Sequence, residues 1–285
     1  MMMSLRNMKT GMKKIMIDFP NNKVKMLQFP KLSEICNISH FVTTRHGGVS
    51  KGTYASFNPG EYCGDDNEDV LINRFLLSEA IGIPQEKIIA PYQIHKDDVR
   101  VIDSSFYSFS IKQRQDYLYG VDALVSFLPN VCVVISTADC VPVLLYAPDI
   151  HAVAAVHAGW RGSVLQIAKK VVRLLIDDYA ADPSLMRVGI GPSISLEAFE
   201  VGEEVVDAFC KNGFDMDRIM RRDSISKKAH IDLWEANRMQ LMDCGLLSKN
   251  IEVAGICTYT DYTNFFSARR LGIKSGRILS GITLI

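Results

Sequence analysis

The chain is most informative at first for what it lacks. No apolar run in its 285 residues approaches the roughly 20 needed to span a bilayer, so no membrane role is expected. No charge sign dominates: Lys+Arg and Asp+Glu are 32 each, a formal net charge of +0. That balance offers no general attraction for nucleic acid or an anionic surface and leaves only local basic pockets. There is no fixed-period repeat, low-complexity tract or long Pro/Gly/Ser linker, which favours a single domain. The seven cysteines (36, 63, 132, 140, 210, 244 and 257) form no CxxC knuckle of the kind structural zinc sites use. Their odd count, wide spacing and the lack of an export signal argue against a disulfide framework and point to the reducing cytoplasm. Histidines number only six.

What is present reads as a globular protein, 48% hydrophobic and 22% charged. The basic start through Lys14 lacks the apolar core of a signal peptide. We expect residues 1–30 to form a flexible leader and an N-terminal strand, and residues 31–285 a single catalytic domain. Strands are expected at 41–44, 99–103, 121–126, 131–136, 141–146, 151–156, 186–190, 251–258 and 277–285. Helical spacing marks 67–81, 202–210, 232–244 and, most strongly, 162–179, where Val164, Ala168, Val171 and Leu175 form one stripe. Residues 107–120 read as a polar and aromatic surface excursion. Strands and helices mix without strict alternation, so the fold class is α/β to α+β, with a mostly buried mixed sheet flanked by helices.

Two polar segments interrupt or cap the apolar strands: Thr137-Ala-Asp-Cys140 and His157-Ala-Gly-Trp-Arg-Gly162. A third, Gln93-Ile-His95, supplies another histidine. His95, Cys140 and His157 are three soft-to-borderline ligands on three separate segments. That is one short of a closed zinc shell, the arrangement of a catalytic rather than a structural ion. The residues alone leave two chemistries open, a metal site and a metal-free thiolate–imidazole pair, since Cys plus His is also the minimal nucleophile and base. Asp139 has the chemistry of a general acid or base, and equally that of a turn or capping aspartate. Arg45, His46 and Arg161 lie beside glycine turns. Guanidinium forks suit phosphate, and a helix starting near Gly162 would add free N–H groups. Arg269 and Arg270 form a further basic pair.

Taken together, Thr43-Thr-Arg-His-Gly-Gly-Val-Ser50, Gln93-Ile-His95, Asp122-Ala-Leu-Val, Thr137-Ala-Asp-Cys140-Val-Pro, His157-Ala-Gly-Trp-Arg-Gly162, Gly189-Ile-Gly-Pro192 and Phe266-Ser-Ala-Arg-Arg270 resemble the YfiH-type family. This is the laccase-domain or polyphenol oxidase family, regarded as purine nucleoside phosphorylases. The resemblance runs from about Phe41 to the C-terminus. It implies a zinc ion on His95, Cys140 and His157, phosphorolysis of adenosine, inosine and methylthioadenosine, and adenosine deamination. Its partners would be purine nucleosides and phosphate, with no nucleic acid and no membrane. It also implies a fold related to cytotoxic-necrotizing-factor-like cysteine hydrolases.

Within that implication, Arg45, His46, Arg161 and Arg269 are candidates for phosphate and substrate, and Asp139 for protonating the leaving base. The laccase label itself fits poorly, because six histidines are too few for the usual multicopper cluster. A single copper ion suits the same three ligands, since copper(II) exceeds zinc in intrinsic affinity. The competing reading is a metal-free hydrolase using Cys140 and His157 on a cell-wall precursor amide or peptide.

Overall fold

The computed structural model describes residues 16–20 and 24–285; the leader expected over residues 1–14 lies outside the described residues. Among the described residues fifteen strands follow in chain order: β1 Ile17–Asp18, β2 Met26–Gln28, β3 Ile38–Thr43, β4 Ile88–Ile89, β5 Val99–Ile102, β6 Ala123–Ser126, β7 Cys132–Thr137, β8 Val141–Ala147, β9 Ala152–Ala158, β10 Arg187–Ile190, β11 Glu200–Val201, β12 Met220–Arg222, β13 Ala229–Ile231, β14 Ile251–Val253 and β15 Ile278–Leu284. The mixed α/β class holds, but the strands form more than the one sheet expected. The first six-stranded sheet has the order β1-β2-β3-β15-β7-β4 and the second β14-β10-β8-β9-β6-β5. A small third sheet, β11-β13-β12, stands beside them.

The apolar runs explain the layering. β8 and β9 are buried along their whole length, as strands covered on both faces must be. On β8, Val141, Val143 and Leu145 face helices Ile167–Tyr179 and Leu233–Asp243, joining Val171, Leu175, Ala236 and Leu241. Leu144 and Tyr146 point the other way and meet Val133, Ile135 and Ile282 of the first sheet. The outer face of that sheet, with Met26, Phe41, Val134 and Leu279, packs on Leu77 of helix Asn67–Ile81. The result is four layers: helix, sheet, sheet, helices.

Helix Asn67–Ile81 has the bounds its spacing predicts. The Asp66 side chain accepts from the N–H groups of Glu68 and Asp69 at its start, and Gly82 closes it with φ 68°. The expected 162–179 helix is instead two, Trp160–Val164 and Ile167–Tyr179, separated by Gln166 at φ 59°. At the break the Ser163 carbonyl accepts from the Gln240 side chain and from Gln166 N–H. The long helix therefore begins away from the His157 motif, and only a five-residue helix starts beside it. Residues 107–120 are not a plain excursion either. They contain helix Ile111–Leu118, opened by a capping box in which Ser110 and Gln113 bond reciprocally.

Candidate metal centre

Strand register brings the site together. β8 and β9 pair antiparallel with Pro142 opposite His157 and Val141 opposite Ala158. Cys140, one residue before β8, therefore comes level with Gly159, one residue beyond β9. β9 pairs antiparallel with β6, Val156 opposite Ala123, so Asp122 at the head of β6 lies beside His157. β5 pairs parallel with β6, Val99 opposite Ala123, and this draws the loop carrying His95 to the same end of the sheet. Gln93 locks that loop from the other side. Its side-chain amide donates to the Ser136 carbonyl at 2.9 Å and accepts from Ser136 N–H at 2.8 Å.

The three donors foreseen from the sequence meet. One ligand atom each from His95, Cys140 and His157 lie within 4.8 Å of one another, and the two imidazoles sit edge to face with centroids 4.8 Å apart. His157 is buried, Cys140 half-buried and His95 exposed, so the cluster is open on one side. His157 Nδ1 lies 2.7 Å from Asp122 Oδ1. A carboxylate in this position only accepts, so Nδ1 carries the proton and Nε2 is left as the donor atom.

Two further features fit an ion in this space. A Cβ on Gly159 would stand 3.0 Å from Cys140 Sγ and 3.4 Å from His95 Cδ2, filling the cradle between two donors. Gly162, where a Cβ would meet the Lys96 carbonyl at 3.0 Å, lets helix Trp160–Val164 lie against the His95 loop.

The electrostatics match. Burial works against ionising the Cys140 thiol, but the His157 and His95 imidazoles outweigh it and pull its pKa down. Burial likewise disfavours a charged His157, and Cys140 with Asp122 reverses that and pushes it up. Burial opposes the charge on Asp122 as well, yet the imidazole and the surrounding backbone N–H groups keep its carboxyl below the usual range. Thiolate, imidazolium and carboxylate thus stabilise one another in a space that would be costly for any one alone.

The remaining candidates are placed less uniformly. Asp139, at φ 89°, has both carboxylate oxygens engaged: Oδ1 accepts from Thr258 Oγ1 and Oδ2 from Arg269 N–H, each at 2.7 Å. Arg45 is held by the carbonyls of Ala55 and Tyr262 at 2.8 and 2.7 Å and stacks on Phe266. His46 pairs with Asn264 at 3.0 Å. Arg269 donates to the Glu200 carbonyl and stacks on Phe199. Arg161 is exposed and lies over the Trp160 ring at 4.4 Å. Its short helix replaces the long one expected to present free N–H groups there.

Thr258 reaches Asp139 because the strand expected over 251–258 ends at Val253 and the chain turns out of the sheet. Sequence reading gave no role to Asp122 or Gln93. Their signal was membership of the Gln93-Ile-His95 and Asp122-Ala-Leu-Val motifs, which carry the family resemblance without stating what either residue does.

Of the six histidines only His95 and His157 join the cluster. His40 accepts from Phe29 N–H, His46 and His230 bond Asn264 and the Leu196 carbonyl, and His151 sits exposed in a turn. Among the described residues this is one three-donor group, with no second cluster for a multicopper assembly.

With that geometry in place, the comparisons place the chain. The family model described as multi-copper polyphenol oxidoreductase laccase matches residues 39–285, and the chain belongs to this family. It is 51% identical to a purine nucleoside phosphorylase of Bacteroides thetaiotaomicron, over 94% of this chain and 99% of that one. It is 40% identical to an adenosine deaminase from an unknown prokaryotic organism, over 91% and 98%. The crystal structure of the Bacillus licheniformis hypothetical protein YfiH superposes with a TM-score of 0.85 at 27% identity, covering 94% of this chain and 99% of that one. No helix among the described residues is long and apolar enough to cross a membrane.

Proposed function

We propose that the chain is a zinc-dependent purine nucleoside phosphorylase. It would convert adenosine, inosine and methylthioadenosine with phosphate to free base and ribose-1-phosphate, and deaminate adenosine as a second activity. The observation that carries this reading is the open His95, Cys140, His157 cluster in a chain half identical to a purine nucleoside phosphorylase over nearly its whole length. Zinc suits two imidazoles and a thiolate with an open fourth position, and copper(II) suits the same donors. When bound, zinc supplies Lewis acidity and lowers the pKa of bound water to about 7.

The chain's own residues supply the rest. Asp122 holds the His157 tautomer and with it the direction of Nε2. Arg161, exposed beside the cluster's own segment with only the Trp160 ring as partner among the described residues, has the guanidinium freest for phosphate. Arg269 keeps part of its donor capacity, whereas the Nε2 of His46 is engaged by Asn264. Arg45 spends two of its donors on backbone carbonyls, so its contribution is to hold the Ala55 and Tyr262 segments together. Asp139, engaged through both oxygens, anchors the Cys140 turn to Thr258 and Arg269. Protonating the leaving purine would require it to give up one of those bonds.

One observation favours a second reading. Cys140, His157 and Asp122 line up as thiol, imidazole and carboxylate, with the thiol's pKa pulled down by its neighbours. That is the logic of a metal-free cysteine hydrolase, here acting on a cell-wall precursor amide or peptide.

The deciding experiment is product analysis of inosine and adenosine with and without phosphate, in wild type and Cys140→Ala, with zinc quantified in both. Phosphate-dependent hypoxanthine and ribose-1-phosphate, lost with the zinc in Cys140→Ala, is the expected result. Zinc-loaded wild type that releases no purine would overturn the phosphorylase reading. Protein purified without zinc that turns over an amide would establish the hydrolase.

A further inference from the structure

We infer that Asp122 is the positioning residue that assembles the metal centre, holding both histidine ligands with one carboxylate. The inference rests on the metal reading above and extends it to a residue outside the ligand set. Asp122 is fully buried and receives four hydrogens. Oδ1 accepts from His95 N–H at 3.0 Å and from His157 Nδ1 at 2.7 Å. Oδ2 accepts from Ile94 N–H at 3.3 Å and from Lys96 N–H at 2.8 Å. A carboxylate has about four lone-pair sites, so its capacity is used in full.

The two histidines reach the site by unlike routes, and this explains why one group must tie them. His157 is the penultimate residue of β9, a strand fixed on both sides by β8 and β6. His95 sits in a loop with φ 63°, a backbone conformation that costs a residue with a Cβ. Three consecutive N–H groups, from Ile94 to Lys96, converge on Asp122 and hold the loop in that conformation. The backbone of Asp122 adds to the tie, its carbonyl accepting from His157 N–H and its N–H donating to the Asp98 carbonyl. The carboxylate thus sets the loop's position and the tautomer of His157 together.

Asp122→Asn is therefore not a mild change. An amide has one accepting oxygen and a donating NH2. If the oxygen takes the Oδ1 place, Ile94 and Lys96 N–H face an NH2 and the His95 loop loses its hold. If the amide is flipped, His157 Nδ1–H and His95 N–H face the NH2 instead. Either way one histidine loses its support.

The test is zinc affinity, read by competition with a chromophoric chelator, in wild type and Asp122→Asn of the full chain, alongside circular dichroism and thermal melting. We expect zinc affinity in the folded variant to fall 10- to 100-fold, the scale of losing an outer-shell partner. Nitrogen-15 spectra of labelled histidines, taken on zinc-loaded protein at a temperature where the melts show both to be folded, should show Nδ1–H on His157 in wild type and loss of that single tautomer in the variant.

A folded variant that binds zinc as tightly as wild type would overturn the inference and leave the metal reading standing. Wild type that binds no zinc would overturn both. Should Asp122→Asn fail to fold, the spectra of wild type decide. In zinc-loaded wild type, Nδ1–H on His157 with Nε2 facing the ion supports the inference, and Nε2–H with Nδ1 facing the ion overturns it.

Discussion

Gly159 and Cys140 face one another so closely that a single methyl group on Gly159 would stand 3.0 Å from the Cys140 sulfur. The backbone at Gly159, φ −64° and ψ 170°, suits any residue, so the demand for glycine comes from the space and not from the dihedrals. Gly159→Ala should leave the fold intact and crowd two ligands at once. We expect zinc affinity to drop on the order of 10-fold, with a melting temperature close to wild type. Chelator competition and calorimetry on the same samples check both halves.

The two arginines nearest the glycine turns should separate by phenotype. Arg161→Ala is expected to raise the KM for phosphate several-fold with little loss of stability, because its side chain is exposed and makes one ring contact. Arg45→Lys should do the reverse. It loses the fixed fork to Ala55 and Tyr262 and the stack on Phe266, at about 1–3 kcal/mol. Phosphate-dependence kinetics and urea titrations of both variants distinguish the roles. Equal KM effects without destabilisation of Arg45→Lys would assign phosphate to both.

Asp139→Ala removes two charge-assisted hydrogen bonds and puts alanine at φ 89°. A stability loss of roughly 2–4 kcal/mol is expected, with zinc retained. Asp139→Asn tolerates the backbone and keeps one acceptor, so it should recover much of that loss. If Asp139 only anchors, phosphorolysis by Asp139→Asn retains the wild-type pH profile. Disappearance of one limb of that profile would restore the general-acid role.

His40 gives a pH dependence whose sign is fixed by its burial. It is 1% exposed, burial lowers its pKa to about 4, and its Nε2 accepts from Phe29 N–H, which requires the unprotonated ring. The unfolded chain takes up this proton near pH 6.5, before the folded protein does. Stability is therefore full above that pH and falls as pH drops towards 4, by about 3 kcal/mol over the interval for a shift of this size. Urea denaturation at pH 7, 5.5 and 4.5 should show the slope, and His40→Gln should flatten it.

The sequence by itself carried the parts of this protein that are local. Asn67–Ile81 is legible from its apolar spacing alone, and the Asp66 cap and Gly82 that bound it in the structure are equally local. The strands around Cys140 and His157 were legible because burial on both faces leaves a continuous apolar run, and the polar residues that end such runs stood out as candidates. The sheet count was not legible, since an apolar strand does not record whether a helix or a second sheet covers it. The break at Gln166 escaped because the stripe of Val164, Ala168 and Val171 continues across it. At the break the Ser163 carbonyl accepts from the Gln240 side chain, 77 residues away, a partner that local spacing does not record.

The donor set could be named from residue types, but its assembly is a product of register: β8 against β9, β9 against β6, and β6 against β5. Asp122 and Gly159 matter only once those strands are paired, because one acts through hydrogen bonds to a distant loop and the other through space it leaves empty. Chemistry carried by a side chain is visible in the chain, whereas position and vacant volume come into being only when the tertiary structure closes.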